Sequence, residues 1–95
     1  MTKIIERVHR DQAQIARLES LVADLDDEAI VRVTLADGSQ HKGTVVARPT
    51  VQTFRDADGN EGVNSLLRLD DLEDAGKSHY LWLDTIVQVD HLGSA

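Results

Sequence analysis

The chain has 95 residues, 17 Asp and Glu against 10 Lys and Arg, a formal net charge of −7 and no cysteine. That length holds one hydrophobic core, so a single domain over residues 1–95 is expected, and a domain this small gains stability from a partner. Without cysteine there is no disulfide framework, no thiolate nucleophile and no cysteine-based zinc site; with no apolar run of membrane-spanning length and no signal-peptide core, a cytoplasmic, unexported protein is expected.

Ile4, Val8, Ile15, Leu18, Val22 and Leu25 recur at helical spacing and predict an amphipathic helix over residues 2–25. Thr2 can cap its start. Asp26-Asp27-Glu28 ends it, because acids at a helix C-terminus oppose the dipole. The stripe also fits a heptad, with Val8, Ile15 and Val22 at one seam position and Ile4, Asp11, Leu18 and Leu25 at the other, which would make the helix a parallel dimer interface. Ile5 and Leu21 widen the apolar face and favour packing on the body of its own chain.

From residue 30 the period changes to two, and residues 30–92 predict a small antiparallel β-barrel. Val31, Val33 and Leu35 alternate with Arg32 and Thr34 before an Asp37-Gly38 turn. The returning strand runs from Gln40 to Phe54, long enough to need bends, which Gly43 and Pro49 suggest; glycine inside a strand marks a bulge or a close backbone approach, and proline an edge or a break. A turn at residues 56–60 leads to a third strand through Val63, Leu66, Leu67 and Leu69, and residues 70–78 form a polar loop. His79–Leu83 and Ile86–Leu92 complete five strands, separated by Asp84-Thr85. A flat sheet of this size would leave a face and two edges to cover, which closure into a barrel avoids.

Residues 1–25 balance in charge, with Lys3, Arg7, Arg10 and Arg17 offsetting Glu6, Asp11, Glu19 and Asp24. The negative excess therefore lies in residues 26–95, where it opposes binding to a phosphate backbone. Asp56-x-Asp58-x-Asn60 has the oxygen spacing that opens a calcium loop, but Glu61 and Leu67 occupy the positions that need glycine and a bidentate acid. A turn needs the same Asp and Gly for backbone reasons. His9, His41, His79 and His91 are dispersed without zinc-motif spacing, although His79 and His91 could meet across the last hairpin. No serine elbow, phosphate-cradling loop or helix-borne His-Glu pair is present, so neither a catalytic residue, a metal site nor a cofactor is predicted. The acids at 70, 71, 73 and 74 read as a solvated loop. Trp82 either anchors the core or marks an interface, depending on which face Leu81 and Leu83 take.

Val31-x-Val33-x-Leu35-x-x-Gly38, followed by Gly43-x-Val45 and Val63-Asn64-x-x-Leu67, resembles the first motif of the Sm-like family. Tyr80–Leu83 and Ile86–Val89 resemble its second. The resemblance covers roughly residues 2–92 and implies an N-terminal helix, a strongly bent five-stranded barrel of Sm-like or SH3-like form, assembly through strand edges and RNA binding. Asn64 is the one RNA-contact position that carries over. At the turn of the second motif the family usually places Arg-Gly, whereas Leu83-Asp84 stands here. The chain also resembles a group of uncharacterised small bacterial proteins with a variant of this fold, which would imply no assigned activity.

The sequence therefore predicts a non-enzymatic, acidic Sm-like scaffold that self-associates, with a dimer favoured, and binds a protein partner. Val8, Ile15, Val22 and Trp82 are its candidate interface residues. Single-stranded RNA binding is the alternative, through Asn64, Arg48, Arg55 and Arg68.

Overall fold

Asp11, which breaks the heptad pattern, is the residue that starts the helix. In the computed structural model, which describes residues 4–74 and 76–94, the Asp11 side chain accepts the Ala13 N–H at 3.3 Å while its own backbone is extended. Helix α1 then runs Gln12–Asp24 and closes with the Leu25 N–H donating to Val22. The predicted cap Thr2 lies outside the described residues. The predicted helix 2–25 is thus corrected to its second half. Residues 4–10 are an extended arm, because the backbone of Ile5 and His9 bonds to strands instead of to a helical turn. Leu18 and Leu25 are fully buried and Leu21 and Val22 pack beside them, so α1 seals the core of its own chain.

The strands are β1 (Ala29–Leu35), β2 (Gln40–Val45), β3 (Gln52–Arg55), β4 (Glu61–Asn64), β5 (Leu66–Asp71), β6 (Ser78–Trp82) and β7 (Ile86–Ser94). A single 3₁₀ turn at Leu83–Thr85 joins the last two. Five of them form one antiparallel sheet in the order β6-β5-β2-β1-β7, and β3 and β4 form a separate two-stranded ribbon. The five predicted strands are therefore seven segments. The second is broken over residues 46–51, around buried Pro49, and the third at Ser65. Beyond the breaks the chain leaves the large sheet and returns as the ribbon. The fold is mainly β with one N-terminal helix, as predicted, and β6 and β7 stand at opposite ends of the sheet order without pairing to each other.

Alternation places one face of each strand inward. Ala29, Val31 and Val33 from β1, Val45 from β2, and Leu67 and Leu69 from β5 meet Leu83, Ile86, Leu18 and Leu25 in one buried cluster. At Gly43, of the bulge or close backbone approach that a glycine in a strand marks, the structure shows the close approach. A Cβ there would lie 2.5 Å from the Asp70 carbonyl oxygen and 3.0 Å from Leu69 Cβ, so glycine is what lets β2 approach β5.

Two substitutions test these assignments. Gly43→Ala must push β2 from β5 and is expected to destabilise by about 1–3 kcal/mol in urea unfolding. Leu18→Ala is expected to lower stability by about 2–5 kcal/mol, whereas at half-buried Ile15 the same change should have the smaller effect. The reverse order would place the functional face of α1 on another chain.

Candidate interaction surfaces

The arm is the first of two surfaces where polar side chains converge. The Ile5 N–H donates to the Arg55 carbonyl at 2.8 Å, and His9 and Val63 exchange backbone hydrogen bonds of 2.9 and 2.8 Å. Between these points the arm crosses Gly62, where a Cβ would sit 2.8 Å from the His9 carbonyl oxygen and 3.0 Å from Val8 Cβ. Side chains then lock it. Arg7 donates through Nε to Asp84 Oδ2 at 2.8 Å and through Nη2 to Oδ1 at 3.4 Å, and His9 Nε2 lies 3.0 Å from the same Oδ2. The Asp84 side chain is only 4% exposed. Burial pushes its pKa up, but the hydrogen bonds and charges of Arg7 and His9 outweigh that and hold it below the usual carboxylate range.

Asn64 lies under the arm. Its Nδ2 donates to the Arg7 carbonyl at 3.1 Å and its Oδ1 accepts the Ser65 N–H at 2.8 Å, leaving the residue 1% exposed. The Leu83-Asp84 pair, noted in the sequence as an acid where a cation was expected, is thus the anchor that receives the arm's cation. Arg7 and His9 were not singled out from the sequence. The signal that could have found them is the arm's basic character beside a lone acid in an apolar motif.

The three candidate RNA cations each hold a carboxylate. Arg48 pairs with Asp26 and its backbone N–H donates to Asp27, Arg55 pairs with Glu61 at 3.3 Å, and Arg68 pairs with Asp70 at 3.4 Å while lying 5.9 Å from the centre of the Tyr80 ring. The four candidate interface residues do not form one seam. Val8 is on the arm, Val22 packs on the core, Ile15 is half-buried on α1, and Trp82 is half-buried with its ring edge-on to buried Phe54 at 5.5 Å and 88°. Trp82 thus combines both sequence alternatives, part core and part surface.

The second surface is an open cleft of about 400 Å³ lined by Gln40, His41, Lys42, Asp71, Lys77 and His79, among others. His79 meets His41 there, with ring centres 5.0 Å apart, and not His91 as the hairpin suggested. His91 instead bonds the Asp24 carbonyl at the end of α1, 2.6 Å away. The reason is sheet order, since β5 and β2 lie on one side of β6 and β7 is at the far end. His79 Nε2 lies 2.9 Å from Asp71 Oδ1, and Asp71 also accepts the N–H groups of Glu73 and Asp74. These contacts, the His79 bond first, hold the Asp71 carboxyl at about 2. No group of three or more His, Asp or Glu able to hold a metal ion occurs among the described residues. At the former calcium candidate, Asp56 accepts the N–H groups of Asp58 and Asn60, as a turn requires.

The family described as Domain of unknown function (DUF3247) matches residues 2–92. A comparison with curated proteins found no match. Among solved structures, a Xanthomonas campestris protein described as adopting a novel variant of the Sm-like motif superposes with a TM-score of 0.89 at 46% sequence identity, covering 95% of this chain and 97% of the other. The Sm-like resemblance read from the two motifs is therefore correct, in variant form. No helix among the described residues is long and apolar enough to cross a membrane.

The Asp71 cluster sets a pH dependence. A carboxyl held at about 2 when folded, against about 4 unfolded, contributes stability above the unfolded value that is lost as pH falls from about 4 towards 2. Unfolding of the wild type and Asp71→Asn should therefore differ at pH 6, and the gap should close on acidification through that window. A gap that stays constant would show that ionisation of Asp71 is irrelevant.

Proposed function

The chain belongs to the family described as Domain of unknown function (DUF3247), and we propose that it is a non-enzymatic, cytoplasmic scaffold whose single Sm-like domain self-associates, as a dimer or another small oligomer, and binds a protein partner. The observation that carries this reading is the state of the sheet's two ends. Among the described residues β6 and β7 each pair on one side only, and they present exposed Tyr80 (61%), Val87 (57%) and Leu92 (46%). An unpaired strand edge offers backbone donors and acceptors to a further strand, and apolar side chains on it add burial to the pairing. Nothing comparable favours a reaction. The carboxylates at Asp84, Asp56 and Asp71 are each engaged in ion pairs or turns among the described residues.

The alternative, single-stranded RNA binding, draws less support. Asn64 has both amide groups engaged beneath the arm, and Arg48, Arg55 and Arg68 would each have to leave a carboxylate to meet a phosphate. A phosphate-driven complex also works against the net charge of −7.

Solution mass measured across a concentration series checks the proposal. The wild type is expected to rise above monomer mass, and Tyr80→Glu combined with Val87→Lys to remain monomeric at the same concentrations. A wild type that stays monomeric throughout and captures no protein would defeat it. An electrophoretic shift of single-stranded RNA that weakens steeply with salt would turn the reading to the alternative.

A further inference from the structure

Residues 4–10 rest on the body with one buried apolar side chain, Ile5, outside the main cluster. The buried apolar cluster includes no residue of the arm, and Ile4 is 66% exposed. The groups that hold the rest of the arm by hydrogen bonds are ones that water can solvate. They are the Asn64 amide, the Asp84 carboxylate and the backbone N–H and C=O of Val63. A segment over an apolar core leaves only at the cost of exposing it, whereas one over hydrogen-bonding groups can exchange with water or with another polypeptide. Its anchor is also partly in solvent, since the Arg7 side chain is 44% exposed, which limits what the ion pair holds.

The arm and the body differ in charge. Residues 1–10 hold Lys3, Arg7 and Arg10 against the single acid Glu6, while the body carries the remaining acids. Arg7 meets Asp84, and Arg10 lies within electrostatic reach of Asp56.

We infer that the groove between β4 and Asp84 is a docking slot for an extended, arginine-bearing peptide segment of a partner protein, which the chain's own arm fills as resident competitor. The arm displays the recognition chemistry. Main-chain bonds to Val63 set the strand direction, an arginine fork grips Asp84 two residues earlier, and an aliphatic side chain takes the buried place of Ile5. Gly62 makes the close backbone approach possible. The acidic body attracts basic segments and disfavours acidic ones. The resident arm lowers a partner's apparent affinity by the fraction of time that it is seated. The slot deepens the proposed binding of a protein partner and rests on that part of the reading, while its anchor Asp84 lies in the turn that joins β6 to β7 and its readout at Val63 is distinct from edge-strand association.

Amide hydrogen exchange in the full chain tests the slot, because the Val63 N–H donates to the His9 carbonyl and so reports the arm directly. Arg7→Ala is expected to speed exchange at Val63 by about fivefold to tenfold, the loss of one half-exposed charge-assisted contact, with Val31 and Val33 of the core unchanged. A synthetic peptide of residues 2–11 added to that variant should restore protection at Val63, and the same peptide with Arg7→Ala should not. Exchange that rises equally at Val63 and Val33 would make the arm an integral part of the fold and overturn the inference. So would equal action of the two peptides. A wild-type dimer that Arg7→Ala dissociates would assign the slot to the arm of a second copy and overturn the assignment to a partner protein.

Discussion

The fold depends on β1 being paired on both sides. It bonds β2 through Ile30–Thr34 and β7 along its whole length, and its alternate residues Ala29, Val31 and Val33 point into the core. With a side-chain period of two, a slip of one residue would exchange Val31 and Val33 for Arg32 and Thr34, placing a guanidinium in the apolar cluster. The cost of burying that charge fixes the register of β1. The neighbours then follow, because β2 must present Gly43 opposite Val31 and its own other edge to β5. Irregularity is confined to the β7 side, where the register shifts after Ile30 and again before Leu35. Such bulges turn a strand without moving its inward residues off the core.

That same period made the centre of the fold legible in the sequence. Val31, Val33, Val45, Leu67 and Leu69 stand in runs whose alternation is local, and each run became a strand with the expected face buried. The strand breaks were legible only in part. Pro49 was recognisable as an interruption because proline lacks a donor, while the break at Ser65 has no such local mark. It comes from tertiary bonds, in which Ser65 Oγ donates to Thr50 and the Ser65 carbonyl accepts the Leu83 N–H. Gly43 carried a local signal whose cause was remote, since the atom that excludes a side chain belongs to Asp70.

The N-terminus shows why spacing alone misassigns an arm. Ile4 and Val8 satisfy helical spacing as well as Leu18, Val22 and Leu25 do, yet only the latter group has a core to cover. An isolated helical turn has a costly nucleus, and the β3–β4 ribbon offers residues 5 and 9 backbone partners at once. Asp11 then caps better than it continues a helix, because its carboxylate satisfies an N–H that would otherwise have none. The heptad therefore fails where its first two seam residues, Ile4 and Val8, lie on the arm outside the helix.

Asp84 connects that arm to the question of ligands. In the sequence it is an acid in place of an expected cation, which argues against phosphate but names no partner. Folded, it is nearly buried, and a buried carboxylate must be neutralised or hydrogen-bonded. The side chains that reach it are the Arg7 guanidinium and the His9 imidazole, more than 70 residues away in sequence. The acid at this turn thus supplies the anchor for the segment that covers Asn64. A site of this polarity selects for guanidinium and against phosphate for the same electrostatic reason, and polypeptide is the biological polymer that carries guanidinium.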